Sequence, residues 1–338
     1  MRRGWIAALL VAAVVLSTPG ARAAERLRIG VLRLASSGPV FVAEDKGYFA
    51  AEGLEIELRF FDAAQPVALA TVSGDIDIGV TGLTAGFFNL AGKAALRIVA
   101  AQSREEPGYH LNAYVVTKQA YEAGLKSLTD LPGHSIAITQ AGSTFHYSLG
   151  LIADKLHFQL ASLRLVAVQS LANMASALKG GQVDAAVMPA TAAQPLIDAG
   201  DVKVIGWVGD ETPWQLGAIF TMQATIDARR AAVAGAIRAY RKGARDFYDA
   251  FLKKGPDGKP ALGPEAPALL AIVSKYTGLS PERITAGIPY VDPDARLLVR
   301  DVYNQVAWYQ AQGLVDKDVD AKTILDLTFV EGHLDMPK

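Results

Sequence analysis

None of the 338 residues is a cysteine. Disulfides, thiolate catalysis, cysteine metal ligands and the lipidated cysteine of a bacterial lipoprotein are therefore excluded together. A chain of this length does not need disulfides, because it can bury a large core. Histidine is scarce too, with five residues scattered at His110, His134, His146, His157 and His333. There is no HExxH, no G-x-S-x-G and no His/carboxylate cluster at metal-ligand spacing. The segment GFFNLAGK (86–93) has five residues between its glycines and Ala94 after its lysine, so it is not a phosphate-binding P-loop. No catalytic residue, cofactor or metal is expected on these grounds. An excess of one charge is also missing. With 33 basic and 34 acidic residues and no basic run, nothing points to nucleic acid.

Long apolar runs are absent beyond the N-terminus. There, MRR is followed by the uncharged stretch WIAALLVAAVVL (5–16) and then by Ala21-Arg22-Ala23. Twelve apolar residues are short for a membrane span, which needs about 20. A basic start, a short apolar core and a small-residue cleavage pattern describe a secretory signal peptide cut after Ala23. Arg2, Arg3 and Arg22 leave with residues 1–23 and no acid does, so 30 basic residues then face 34 acidic ones. Export without a lipidated cysteine is expected to deliver a soluble protein to the periplasm.

The rest of the chain alternates between strand and helix patterns. LRIGVL (27–32) reads as a strand, Val40 to Phe49 as a helix, and AEGLEIELRFF leads into a second strand. Gln65–Ser73 and Ala85–Ala91 read as helices around the strand IDIGV, and LRIVAAQS as a further strand. The pattern restarts near residue 111 with LNAYVVT and runs through HSIAITQAG, STFHYSLGLIADKLH, LRLVAVQ, Leu171–Lys179, VDAAVM, Ala192–Ala199 and VKVIGWV to the outgoing strand GAIFTM (217–222). Alternation of this kind implies an α/β fold with mostly parallel sheets. After residue 226 the chain turns helical. Ile226–Leu252 is long and amphipathic, a Gly/Pro/Lys loop follows it, and near the end Leu298, Val302, Val306 and Tyr309 share a helix face. These helices are expected to pack on the first unit.

One short element occurs twice. Aligning GDIDIGVTG from Gly74 with GQVDAAVMP from Gly181 matches Asp77 with Asp184 and Val80 with Val187. In each copy glycine stops a helix, an aspartate can bond to nearby backbone, and a short apolar strand opens into small residues. Either the two copies share only what any two αβ units share, or they mark two lobes facing across a cleft. In open α/β sheets ligands sit beyond the carboxyl ends of the strands. That rule singles out Thr81-Gly82-Leu83-Thr84 in one unit and Met188-Pro189-Ala190-Thr191 in the other.

PVFVAEDKGYFAAEGLEIEL (39–58) resembles the opening of solute-binding proteins of the nitrate/sulfonate/taurine type, which serve ABC importers. GDIDIGVTG, SLTDLPGHSIAITQAGS (127–143), GGQVDAA and VDPDARLLVRDVYNQVAWYQAQGLV match later landmarks of that family, so the likeness spans residues 27–325. It implies a type II periplasmic binding fold, with two Rossmann-like lobes joined by two crossing hinge strands near 111–117 and 217–222. Lobe 1 would take residues 24–112 and 221–338, and lobe 2 residues 113–220. The expected function is capture of a small organic anion, a sulfonate or a carboxylate with an apolar or aromatic body, by a monomer that delivers it to a membrane permease with its ATPase.

By matched position the family places ligand contacts at Ser36, Ser37, Gly38 and Pro39, at Thr81, Gly82 and Thr84, and at Gly142, Ser143 and Thr144. Helix N-termini in these loops offer N–H groups and a positive dipole end to an anion. Ser143 suits a plain N-cap equally well. Ser103, Phe145, Met188 and Trp214 join the candidates because they lie at or past strand ends, as do Phe87, Arg104, Tyr109, His110, His146 and Trp207. Arg104 would either pair with the ligand or stay beside Glu105 and Glu106, and His146 suits packing or hydrogen bonding better than ligand contact. Two other functions remain open: a sensor subunit for a membrane receptor, and an enzyme. A related branch making a pyrimidine precursor carries a cysteine-rich motif, which this chain lacks.

Overall fold

A computed structural model describes residues 24–94 and 96–336. The expected signal segment lies outside them. The first strand, β1 (Glu25–Leu32), leads through a turn at 35–37 into α1 (Gly38–Asp45). The expected helix Val40–Phe49 is in fact two. Gly47 adopts a left-handed φ of 71° and separates α1 from α2 (Tyr48–Ala51), a conformation glycine takes without the Cβ penalty. Next come β2 (Leu54–Phe61), α3 (Ala64–Val72), β3 (Ile78–Gly82), α4 (Ala85–Ala94) and β4 (Leu96–Ala101). β3 starts two residues later than expected, so Thr81 and Gly82 end the strand and do not belong to the loop.

The second unit consists of β5 (Asn112–Thr117), α5 (Lys118–Glu122), β6 (Ser135–Ile138), α6 (Thr144–Lys155), β7 (Arg164–Ala167), α7 (Leu171–Lys179), β8 (Ala185–Pro189), α8 (Ala190–Asp198) and β9 (Val202–Trp207). After α9 (Val208–Glu211) the chain returns through β10 (Gly217–Met222) to the long α10 (Gln223–Phe251). That helix is kinked at Arg229, whose φ of −139° is not helical. Helices α11 (Ala266–Thr277), α12 (Pro281–Ala286), α13 (Val299–Ala311) and α14 (Ala321–Ile324) complete the described chain. None of the described helices is long and apolar enough to cross a membrane.

The strands form two five-stranded sheets with equivalent orders, β2-β1-β3-β10-β4 and β7-β6-β8-β5-β9. In each, the fourth strand is antiparallel to its neighbours and the others run parallel. The register repeats as well. Arg28 faces Glu57 and Ile29 faces Ile78; the residues 107 positions on, Ser135 with Arg164 and Ile136 with Ala185, face each other in the second sheet. β10 against β3 (Gly217 opposite Gly82) matches β5 against β8 (Asn112 opposite Pro189), and both fourth strands carry a bulge at the same place. The short element that recurs in the sequence is thus one part of a repeated sheet. As the glycine-stop reading requires, Gly74 and Gly181 have φ of 78° and 64°.

One face of the first sheet packs Leu27, Ile29 and Val31 against α1, α10 and α11, where Phe41, Phe247 and Phe251 are almost wholly buried. Each such ring is worth about 1.5–3 kcal/mol of burial. The opposite face belongs to a core that continues into the second sheet. Phe88 of α4 meets Tyr309 of α13, and Tyr309 meets Tyr147 of α6 at ring-centre separations of 5.9 and 5.6 Å. α13 was expected to pack on the first unit alone. Instead it lies against both, because Trp308 sits on Gly150, where a Cβ would come within 2.0 Å of its ring, and the Tyr309 hydroxyl donates to the Ser143 carbonyl.

Candidate functional site

The carboxyl ends of the parallel strands of both sheets border one cleft. Its enclosed part has a volume of about 70 Å3, within about 740 Å3 of unoccupied space once the open mouth is counted. Its first wall is the turn after β1. Gly38 and Pro39 open α1 and face inward: a Cβ on Gly38 would lie 2.5 Å from the Phe247 ring, and proline at the first helical turn sacrifices no hydrogen bond. That packing fixes Ser36 and Ser37 on the cleft. Ser37 is 1% exposed, and its Oγ has no hydrogen-bond partner among the described residues. A buried hydroxyl left unpaired costs free energy until something enters to pair with it. Gln102, just after β4, closes the base by donating to the Ser36 carbonyl at 2.9 Å.

Thr81 and Gly82 at the end of β3 supply the adjoining wall. A Cβ on Gly82 would come 2.8 Å from Thr144 Cγ2 across the cleft, and one on Gly142 (φ 76°) would come 2.6 Å from the Ala85 Cβ. These glycines therefore let the two units touch, and the Ala85 N–H donates to the Gly142 carbonyl at 2.9 Å. Opposite lies the N-terminus of α6. Ser143 is its N-cap, accepting from the His146 N–H at 3.3 Å, while His146 Nδ1 accepts from the Gly142 N–H at 3.0 Å. An accepting ring nitrogen must be unprotonated, in keeping with burial, which pushes the His146 pKa down. The first N–H groups of a helix have no intrahelical acceptor. Those of Thr144 and Phe145, both lining the cleft, find no backbone acceptor among the described residues.

Of the fourteen sequence candidates, Ser36, Ser37, Thr81, Gly82, Thr144 and Phe145 line the cleft. The others have different work. Gly38 and Pro39 face the core, and the Thr84 hydroxyl caps α4 while donating to Gln65 Oε1. Gly142 and Ser143 shape the turn. Ser103 holds the crossover between the sheets, its carbonyl accepting from Gly217 N–H and from Gln215 Nε2. Met188 is buried inside β8, and Trp214 is buried against Tyr147. The other aromatic candidates also lie elsewhere: Phe87 packs on Phe220, Tyr109 donates to the Leu252 carbonyl, and Trp207 stacks on His110. Arg104 pairs with Glu106 at 2.7 Å and lies over the Tyr290 ring. Phe145 is thus the one aromatic residue on the cleft wall.

The sequence reading did not single out Asp62, Gln102, Asn112 or Thr139, all of which line the cleft. Asp62, Gln102 and Thr139 directly follow β2, β4 and β6, so the strand-end rule, applied to every strand, would have found them. Asn112 ties the cleft to the crossover by donating to Glu105 Oε1 at 2.5 Å. Glu105 is fully buried between residues 102–111 and 208–216, which pair through Glu105 and Trp214. Burial pushes its carboxyl up to about 8, against a smaller lowering from the Asn112 amide. On the outer side, Arg283 of α12 reaches across to the Thr191 carbonyl at the start of α8, 2.8 Å away. Among the described residues no lysine, arginine or histidine lines the cleft, and its single ionisable side chain is Asp62.

The profile of the family described as NMT1/THI5 like matches residues 35–250. The chain belongs to that family. Among curated proteins no sequence relative was found. Solved structures share the fold at low identity. The ligand-binding component of an ABC-type import system from Staphylococcus aureus superposes with a TM-score of 0.71 and 14% identity, covering 92% of this chain and 100% of that one. For the alkanesulfonate-binding protein SsuA from Xanthomonas axonopodis pv. citri the values are 0.69, 18%, 90% and 98%. For the nitrate-binding protein NrtA from Synechocystis PCC 6803 they are 0.67, 12%, 88% and 84%. This NMT1/THI5-like chain therefore has the periplasmic binding protein fold. The fold also carries catalysis elsewhere: the desulfurization enzyme DSZB matches with a TM-score of 0.61 and 13% identity over 90% of this chain and 97% of that one.

Proposed function

We propose that this chain is the solute-binding component of an ABC importer, holding a small organic anion between its two lobes and presenting it to a membrane permease. The observation that carries the reading is that the buried Ser37 hydroxyl, without a partner among the described residues, lines the same cleft as the N-terminus of α6. Hydroxyls of Ser36, Thr81 and Thr144 and the first N–H groups of α6 provide an anion with uncharged donors and a positive dipole end. Leu32, Leu34, Leu111 and Phe145 supply an apolar wall for the body of the ligand. The same lining supports binding over turnover. Among the described residues the one carboxylate on the lining is Asp62, with no second acid or base beside it for paired proton transfer.

The moving parts of this reading are the expected lobes, 24–112 with 221–338 and 113–220, with the bounds moved so that β10 from Gly217 goes with the first sheet and β5 from Asn112 with the second. They rock about the paired segments 102–111 and 208–216. A ligand touching both lobes favours the closed arrangement through its differential affinity. Residues 1–23 are the cleaved export signal, and the mature protein works as a monomer in the periplasm. A thermal-shift screen of alkyl and aryl sulfonates, carboxylates and nitrate tests the reading. A ligand at 100 times its Kd adds roughly 2.7 kcal/mol of stability. Turnover of any bound compound by the purified protein would overturn it.

A further inference from the structure

Asp62 stands at the mouth of the cleft, immediately after β2 and two residues before α3. An aspartate there ordinarily caps the following helix. This one does not, since the N-cap position is Ala63 and no side-chain bond closes it. Among the described residues the Asp62 carboxylate has neither a hydrogen bond nor an ion pair, and it is exposed. It is nevertheless the only charge on a lining otherwise made of hydroxyls, amides and apolar side chains. Ser37 marks a place for one polar group of the ligand, in the buried part of the cleft. The charge at the mouth therefore acts on whatever the other end of the ligand carries.

We propose that Asp62 is the specificity-determining residue of the cleft mouth: it rejects a ligand whose outer end is negatively charged and pairs with one whose outer end bears a cationic nitrogen. The proposal rests on the solute-binding reading above and adds the charge rule for its ligand. A second anionic group would meet a carboxylate with no cation on the cleft wall to offset it. A protonated amine would gain a charge-assisted hydrogen bond from a carboxylate that spends none on the protein.

Matched probes of equal length test this: pentanoate, 5-aminopentanoate and glutarate, with the corresponding alkanesulfonates, titrated calorimetrically into the mature protein, Asp62→Asn and Asp62→Lys. Asp62 makes no bond within the protein, so both variants are expected to melt within a degree or two of wild type. Wild type should favour the amino probe over the dianion by at least about tenfold, and more salt should narrow that gap. Asp62→Asn should remove most of the preference and Asp62→Lys should invert it. Probes that bind wild type and Asp62→Asn in the same order would overturn the proposal and leave the solute-binding reading intact. No binding of any probe by wild type or either variant would overturn both.

Discussion

The carboxylate of Asp77 accepts a hydrogen bond from the backbone N–H of Arg28 at 2.7 Å, tying the start of β3 to β1. The same tie recurs in the second sheet, where Asp184 accepts from the Ser135 N–H at 2.8 Å. The aspartates of the repeated element are thus clasps between neighbouring strands, set back from the cleft. They are not equally placed. Asp77 also pairs with the guanidinium groups of Arg28 and Arg229 at 3.1 Å, with its side chain 13% exposed, whereas Asp184 is 33% exposed, accepts from Ser135 Oγ and His134, and lies 3.7 Å from the exposed guanidinium of Arg164.

Asp77→Ala should therefore cost about 2 kcal/mol, because it strands two arginines and a strand N–H, and Asp184→Ala about 1 kcal/mol. Urea denaturation of both variants measures the difference. Equal losses would show that the arginine pairs around Asp77 contribute nothing.

Removing the Ser37 hydroxyl separates binding from folding. Ser37→Ala deletes a buried polar atom that has no partner among the described residues, so stability without ligand should stay unchanged or rise slightly. Affinity for the bound anion should fall by about tenfold, the value of one good hydrogen bond. Calorimetric titration reads the second effect, and unchanged affinity would remove Ser37 from the site.

Glu105 gives the crossover a pH signature. Its folded pKa of about 8 lies above the ordinary 4.5, so between those values the folded chain keeps a proton that the unfolded chain has lost. Stability is therefore drained as pH rises from 4.5 to 8 and levels off above. Glu105→Gln should cancel that loss. Its melting temperature, relative to wild type, should climb across this window and then hold steady. A difference independent of pH would mean that Glu105 is ionised in the folded protein.

The bond from Arg283 to the Thr191 carbonyl joins α12, on the side of the first sheet, to α8 of the second. Arg283→Ala should favour the open arrangement without harming either core. Small-angle scattering should then show a larger radius of gyration without ligand, and ligand affinity should drop by a few-fold. Identical scattering from the two proteins would deny Arg283 any part in closure.

Much of the fold was legible because burial imposes periodicity. α7 and β10 fall where their apolar patterns put them, at Leu171–Lys179 and Gly217–Met222. The break at Gly47 and the place of α13 between the two units depend on tertiary contacts that no local pattern records. The site was half legible for the same reason. Ser36, Ser37, Thr81, Gly82, Thr144 and Phe145 follow from strand ends and helix starts. Gly38 and Gly142 share those loops yet serve close packing, a distinction set by Phe247 and Ala85 far away in sequence. Asp62 was missed because the strand-end rule was not carried to β2.

The central claim, that the cleft holds a small molecule, is tested most directly by native mass spectrometry of the protein isolated without denaturation from the cells that make it. The prediction is one extra small mass per chain, absent from Gly82→Val, whose added side chain would press on Thr144 and hold the lobes apart. A wild-type protein of bare polypeptide mass, still bare after incubation with an extract of those cells, would contradict the account, as would a bound mass that survives in Gly82→Val.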